Sequence, residues 1–484
     1  MSNFTERGNE IQDLVIHESL VQLVFPFTIE RTLSENLVDE LIRKDYRFFQ
    51  IQDGDMETAF YGNHRVSHRA LEKNFLPNIE PLLYPPSYKE RHAFRRFSKV
   101  INLDCEMISE HVQTAFKILS IDVIICPFKI GMINMRVELP KDMPISEALE
   151  FVDIIRVMEP ILEPEMQTDI VYQGHTYKKM KDFIFEEVCP FLIDYMDTYQ
   201  AGSTYFGSLP FFIDERMYVV GFFALPEESK ISPQDLYRFG HVNGFDTRGE
   251  PFIGASNLDY IKSYLKKHTY DRWADETFYL VSEYIFACIS TGNKGLKNML
   301  ASQMYGEYYY AFLLFYYYRI ALMKLTYDQS QISIETKETG IEDLIVSITD
   351  FSSKFYYPEV NSRVSGREIF AKVKEIYNIE ELYRQVKNTL NDLYQNQDKL
   401  TTNRNNYLLQ ILTTYTVISG IYGMNLVIQD WEGRIKWSKI PKYSFFEWIS
   451  LIVAISGIAI GTMLAFQALW KYLAEKRRRK RKVV

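Results

Sequence analysis

Residues 405–429 read NNYLLQILTTYTVISGIYGMNLVIQ and carry no charged side chain. Residues 448–470, WISLIVAISGIAIGTMLAFQALW, carry none either. A helix of about 20 residues crosses the hydrocarbon of a bilayer, and helices satisfy their own backbone polar groups there. The two stretches therefore predict a first span over 405–425, an outer loop over 426–443 and a second span over 444–472. Gly457 and Gly461 allow close packing of the second span, and Trp448 and Trp470 stand near its ends. The chain closes with a basic tail over 473–484, in which Lys476 to Lys482 are seven consecutive cations. Such a run is expected on the cytoplasmic side. A hairpin returns to the side on which it starts, so both termini are expected in the cytoplasm and the protein in the inner (plasma) membrane.

Upstream, residues 363–404 read as a stalk helix. Ile369, Ile376, Tyr383 and Leu390 are seven apart, and Ile379, Val386, Leu393, Leu400 and Tyr407 form a second seam. Two seams at heptad spacing predict a long packed helix. No Gly or Pro occurs between Arg367 and Ser419, so one uninterrupted helix is expected to run into the first span. The fold class expected is an α/β cytoplasmic domain, a long stalk helix and a two-helix transmembrane hairpin.

The end of the first uncharged stretch, Gly420-Ile421-Tyr422-Gly423-Met424-Asn425, followed by a loop, a second apolar stretch and a basic end, resembles the CorA family of divalent-cation channels. The resemblance implies a homo-pentamer, Mg2+ or another divalent cation as the transported or regulatory ion, and a ring of Asn425 side chains that hold the ion through its hydrating waters. Gly423 and Met424 complete that motif. A gapless comparison places the pore lining on Thr402, Asn405, Leu409, Thr413 and Thr416, a more polar set than the Met and Leu rings usual in the family. Leu409 is the single bulky apolar ring among them. The usual proline of the span is replaced by Thr414, and the usual Met-Pro-Glu-Leu after the motif is missing. These departures fit an alternative within the resemblance, a membrane effector of the type III CRISPR-associated branch that responds to a nucleotide second messenger.

The 484 residues carry a formal net charge of −8, which leaves −15 for the chain without the basic run. So acidic a body is a poor nucleic-acid binder, and no direct nucleic-acid partner is expected. The four cysteines lie far apart, without metal-ligand spacing, and suggest a reducing compartment. No phosphate loop, His-Glu metallohydrolase spacing or nucleophile elbow is present. No enzymatic activity is expected.

Residues 1–355 read as the α/β body, either whole or as two subdomains meeting near residue 200. Strands are expected at 20–27 and 130–139, and two more over 206–225 with a turn at Asp214-Glu215-Arg216. Helices are expected at 33–44 (with Leu33, Leu37, Leu41 and Ile42 inward), 146–158, 258–267, 278–289 and 341–355. Tyr308 to Tyr318, eleven uncharged residues with six tyrosines, are too few to span a bilayer. They predict a buried or subunit-facing helix that continues to about Leu325. The densest basic cluster outside the tail holds Arg91, Phe94, Arg95, Arg96, Phe97 and Lys99. Guanidinium groups and aromatic rings at this density suit an anionic ligand, and equally a solvated strand face. His64 and His68 read as surface residues.

Overall fold

The computed structural model describes residues 13–30, 33–50, 75–160, 162–197, 216–330, 338–425 and 437–449, with isolated positions from 451 to 470. The chain forms two compact units, Met1–Thr389 and Leu390–Val484.

The first unit is built on a sheet of 11 strands. Its centre is a hairpin of two 14-residue strands, β4 (Arg95–Ile108) and β5 (Gln113–Cys126). Outward from β5 come β6 (Ile130–Glu138), β2 (Glu18–Thr28), β10 (Tyr218–Ala224), β13 (Ile285–Ser290), β12 (Thr277–Val281) and β11 (Thr269–Tyr270). On the other side lie β8 (Asp169–Tyr172) and β9 (His175–Tyr177), while β3 (Arg47–Phe48) also pairs with β4. β10 and β13 are parallel, and the remaining described pairs of this sheet are antiparallel. The short strands β1 (Val15–Ile16) and β7 (Met143–Pro144) pair separately.

Side chains alternate across a strand with period two, and the two faces of this sheet differ. One face carries Leu23, Phe25, Phe97, Ile121, Val123, Ile133 and Met135 into an apolar core with helices α1 (Ser34–Arg43) and α2 (Ile145–Ile155). Phe27 lies in register with Gly131, where a Cβ would sit 2.2 Å from its ring. Only glycine fits so close an approach.

The other face carries a polar stripe. Ser98, Asp122 and Asn134 are cross-strand neighbours, as are Ser120, Arg136 and Gln22. Asp122 is fully buried and accepts from Ser98 Oγ at 2.5 Å, Asn134 Nδ2 at 3.0 Å and Arg136 at 3.0 Å. Arg96 lies 3.2 Å from the same carboxylate. Arg136 also donates to Ser120 at 2.8 Å, and Asn134 to Gln22 at 3.2 Å. Burial acts to raise the Asp122 pKa, but Arg136, Arg96, Ser98 and Asn134 together outweigh it and hold the carboxyl below its ordinary value.

Covering helices follow in chain order. They are α3 (Pro233–His241), α4 (Leu258–His268), α5 (Lys294–Tyr305), α6 (Glu307–Ser330), α7 (Glu338–Asp350) and α8 (Val364–Ile376). α6 contains the tyrosine run, and all six tyrosines from Tyr308 to Tyr318 are buried. Arg96 donates to the Tyr310 hydroxyl and lies 4.0 Å above the Phe49 ring. The Tyr318 hydroxyl accepts from the Tyr357 amide at 3.1 Å. These two hydroxyls thus meet a strand polar group and the backbone, as buried phenols require.

α9 (Ile379–Asn425) has 47 residues and is about 70 Å long. It is separate from α8. Tyr377 caps α8, and Asn378 adopts a left-handed φ of 51°, so the expected uninterrupted stalk is two helices. The residue responsible is an asparagine, which tolerates that conformation better than most; a search for Gly and Pro alone overlooks it.

The expected transmembrane fold is corrected. Among the described residues no helix is long and apolar enough to cross a membrane. The first stretch is uncharged without being apolar, since Asn405, Asn406, Gln410, Thr413, Thr414, Thr416 and Ser419 punctuate it. With it fall the two-helix transmembrane hairpin, the description as a membrane protein and the multi-pass inner-membrane placement with cytoplasmic termini. Residues 426–436, much of the second stretch and the tail 471–484 lie outside the described residues.

Other expectations resolve strand by strand. The helix expected at 278–289 is the β12–β13 hairpin, turning at Ser282-Glu283-Tyr284. Short apolar runs do not distinguish helix from strand by periodicity. Of the two strands expected over 206–225, β10 is found, and residues 198–215 lie outside the described ones, as do His64 and His68. Ile42 of α1 is exposed and Val38 takes the inward place. All four cysteines are buried and unpaired by disulfides.

Replacing Asp122 by Ala leaves two buried guanidinium groups facing each other, and should destabilise the full-length protein by about 3–5 kcal/mol in urea unfolding. The same carboxylate gives a pH signature. Its folded pKa lies below the unfolded value of about 3.9, so its contribution is complete above about pH 4 and lost as pH falls through the folded value. The acid limb of the stability profile should therefore be shallower in Asp122→Asn than in wild type; an identical limb would contradict this.

Candidate functional site

The structure separates the residues that the sequence groups into sites. Thr402, Asn405, Leu409, Thr413 and Thr416 are all exposed on α9. Their spacing of three and four residues keeps them along one side of a helix. Of Gly423, Met424 and Asn425 only the helical backbone is described, and their side chains lie outside the described set. No group of three or more His, Cys, Asp or Glu among the described residues is placed to hold a metal ion.

The basic cluster at 91–99 does not form an open anion surface. Phe94, Arg95, Arg96 and Phe97 are buried in and beside β4. Arg95 and the exposed Arg91 both pair with Glu35, at 3.1 and 3.3 Å. Arg96 belongs to the Asp122 stripe, and Lys99 donates to the Lys44 carbonyl at 2.9 Å. The cationic character that the sequence displays there is consumed inside the fold.

A different set of arginines converges. A cavity of about 270 Å3 is walled by Arg156, Arg216, Met217, Tyr218, Glu283, Tyr284, Tyr316 and Arg319. The elements explain why they meet. Arg156 follows the last residue of α2, and its carbonyl accepts from the Met217 amide at 2.7 Å. Arg216 bridges Val157 just before β10. Tyr218 opens β10, and Glu283 and Tyr284 form the turn before β13, its parallel partner. Tyr316 and Arg319 come from consecutive turns of α6. Arg156 and Arg216 flank the ends of α2 and β10, while Arg319 lies midway along α6, between the buried Tyr318 and Ile320.

The three guanidinium groups are held differently. Arg156 Nε donates to Asp153 at 3.0 Å and lies 4.9 Å from the Tyr284 ring. Arg319 pairs with Glu283 at 3.2 Å and lies 4.9 Å from the Tyr377 ring. Arg216 pairs with Glu165. The side chains of Arg156 and Arg319 are only 5% and 16% exposed, whereas Asp153 and Glu283 are 47% and 55% exposed. Ion pairs to such exposed carboxylates are worth little. An entering anion can therefore take the place of Asp153 and Glu283 at modest cost, and it finds cations that are already positioned. Glu165 is 13% exposed and keeps a tighter hold on Arg216.

Burial pulls the Arg319 pKa down, while Tyr377 and Glu283 push it up, and the net direction is upward. Burial pushes the phenols of Tyr218 and Tyr316 well above their ordinary value. Tyr218 donates to the Ser282 carbonyl at 2.9 Å. Tyr218 and Tyr316 thus stay neutral and Arg319 cationic at physiological pH.

A second feature touches the cavity from behind. Tyr237, His241, Tyr264 and His268 stack in sequence across α3 and α4, with centroid separations of 4.2, 4.8 and 3.9 Å. Tyr284 of the cavity wall lies 6.4 Å from His241, an inner member of this column. The His241 and His268 rings bond the carbonyls of Tyr237 and Val281. Burial lowers the pKa of both histidines.

Sequence reasoning missed this site because its residues are spread from 156 to 319 and form no motif. The one signal available is a single arginine bounding an apolar run, at Ile155-Arg156, Arg216-Met217 and Tyr318-Arg319. No family model matches the chain, and no curated protein or solved structure matches it either.

The histidine column predicts acid sensitivity. The folded histidine pKa values lie below the unfolded value of about 6.5, so the column's contribution is full above about pH 6.5 and is lost as pH falls through the folded values. The melting temperature of wild type should drop between about pH 7.5 and 5.5, and the drop should be smaller in the His241→Phe, His268→Phe double variant. Equal drops in both proteins would remove the column as the cause.

Proposed function

We propose that this chain is a binding protein for a small anionic ligand of the nucleotide class and acts as a ligand-controlled effector, without catalysing a reaction on that ligand. The observation that carries the proposal is the convergence of Arg156, Arg216 and Arg319 with three tyrosines on one cavity. Guanidinium forks match phosphate oxygens in geometry and charge, and tyrosine faces accept a planar base. About 270 Å3 is at the small end of ligand pockets, which suits a mononucleotide or a part of a larger nucleotide. Burial keeps the Tyr218 and Tyr316 phenols protonated. These features favour binding over general-base chemistry.

The resemblance to the type III CRISPR-associated branch of the CorA family points to a nucleotide second messenger, and the cavity supports that part of the reading. Cation conduction is not part of the proposal, because it needs membrane-spanning helices and none is found among the described residues. Self-association is part of it. Tyr407, Leu409, Ile411, Leu412 and Val417 of α9 are all exposed, and apolar side chains at that density favour contact with other copies.

Calorimetric titration of the full-length protein with AMP and ATP should show binding. Arg156→Gln and Arg319→Gln should each weaken it by about 10- to 100-fold, the loss of a charged hydrogen bond, with a smaller loss for Tyr284→Ala. Arg91→Gln, in the cluster paired with Glu35, should bind as wild type does. The absence of nucleotide binding, or equal losses in Arg91→Gln and Arg156→Gln, would defeat the proposal. Native mass spectrometry of the full-length chain should show an oligomer, with five subunits expected from the CorA resemblance; a clean monomer would remove self-association.

A further inference from the structure

The cavity has a mechanical neighbour. Tyr377 is 2% exposed and lies behind the wall that Arg319, Tyr218 and Tyr316 form. The Arg319 guanidinium is 4.9 Å from its ring centroid. Tyr218 meets it edge-on at 5.8 Å, and Tyr316 lies at 6.2 Å. Three of the eight wall residues therefore contact one side chain that is not itself in the wall.

Tyr377 also holds the joint between two helices. Its amide bonds the Val373 carbonyl at 2.9 Å and closes α8. Asn378 turns the chain through the left-handed region, and the Leu382 amide bonds the Asn378 carbonyl at 3.0 Å to open α9. The first turns of α9 have their own anchors, since Tyr383 stacks on Tyr356 at 4.0 Å and Thr389 bonds Gln329 at 3.1 Å. At the joint itself Ile376, Tyr377 and Ile379 are buried, and Tyr377 is the one that also meets Arg319, Tyr218 and Tyr316.

We infer that Tyr377 reads the occupancy of the Arg156–Arg216–Arg319 cavity and passes it to the helix that begins at Ile379. This inference rests on the binding reading above. An anion in the cavity draws the Arg319 guanidinium from Glu283 and from the face of Tyr377. The attraction between the cation and the ring weakens, Tyr377 loses its hold, and the first turns of α9 open more readily. Arg156 and Arg216 supply affinity, and Arg319 supplies affinity and transmission. A ligand shifts such a joint only by its differential affinity for the two states. Arg319 provides it, because its ring contact and its anion contact compete.

Hydrogen exchange of the full-length protein tests this in two arms. Without ligand, Arg319→Leu should raise exchange of amides 382–389 about tenfold, the range of one partly buried cation–ring contact. Arg156→Leu, in the same cavity, should leave them within about twofold of wild type. Tyr377→Phe keeps the ring and should keep wild-type protection, while Tyr377→Leu should behave as Arg319→Leu does. Equal protection in all four variants would overturn the relay whether or not any nucleotide binds. With ATP as the probe, exchange at 382–389 should rise in wild type and not in Tyr377→Leu, which should bind ATP more tightly than wild type by up to about tenfold, because the competing ring contact is gone. Binding of ATP with unchanged exchange in wild type would overturn the relay and leave the cavity reading standing. Failure of ATP to bind would overturn the cavity reading and leave the relay to the ligand-free arm.

Discussion

The Asp122 carboxylate is the interaction on which the first unit depends. Four central strands contribute to its surroundings, through Arg96 and Ser98, Ser120, Asn134 and Arg136, and Gln22. A sheet face with two arginines on it cannot be buried unless their charge is met. Asp122 meets it, and the tyrosine helix then closes over the stripe with the Tyr310 hydroxyl accepting from Arg96. Of the six buried tyrosines of α6, Tyr310 is placed by this contact. A helix of Leu and Val in that place would leave the stripe's remaining donors unsatisfied, at about 1–3 kcal/mol each. Because the period of a strand is two, a slip of one residue in any of these strands would turn its polar members onto the apolar face. The stripe therefore fixes register as well as charge.

The cavity arises where this construction stops. α2 and β10 each meet an arginine at one end, and α6 presents Arg319 from the middle of its length. The sheet brings those ends together because β10 and β13 run parallel, so the turn before β13 lies beside the start of β10. Tyr218 links the two regions. It stacks on Phe312 of α6 at 4.8 Å, faces Tyr377 and contributes to the wall. An aromatic layer laid down for packing thus extends from the cavity to the joint before α9.

Several elements were legible in the chain. β2, β6, α1, α2, α4 and the tyrosine helix fall within a few residues of their expected places, because hydrophobic periodicity over such lengths reflects a local choice of conformation. The β4–β5 hairpin was overlooked. Its Arg95, Arg96, Ser98, Ser120 and Asp122 interrupt the apolar pattern, and polar residues on both sides of the alternation conceal a buried strand. The hairpin at 277–290 was read as a helix for the opposite reason, since nearly every residue in it is apolar. The basic cluster at 91–99 reads as a ligand site or a solvated face, and its centre, Phe94 to Ser98, is interior while Arg91 is exposed. Whether an arginine serves a ligand or a carboxylate across the sheet is a question of pairing, which no window of sequence contains.

By itself the sequence determined the acidic balance of the chain, a helix over the Tyr308–Tyr318 run that is either buried or subunit-facing, and the wide separation of four cysteines. Each is a property of composition or of local period. Only the tertiary structure decided that Arg96 and Arg136 share one aspartate, that Arg156, Arg216 and Arg319 face one cavity, and that the stalk is divided at Asn378. The first two are contacts between residues far apart in the chain, and their free energy exists only once the sheet has brought them together. The third is a single residue's choice of a left-handed φ, held by the packing of Tyr377 against Arg319 and Tyr218. The reading of residues 405–429 as a spanning helix failed on a related distinction. The sequence records the absence of charge, while passage through a bilayer depends on the summed cost of every Thr, Asn and Gln along the helix.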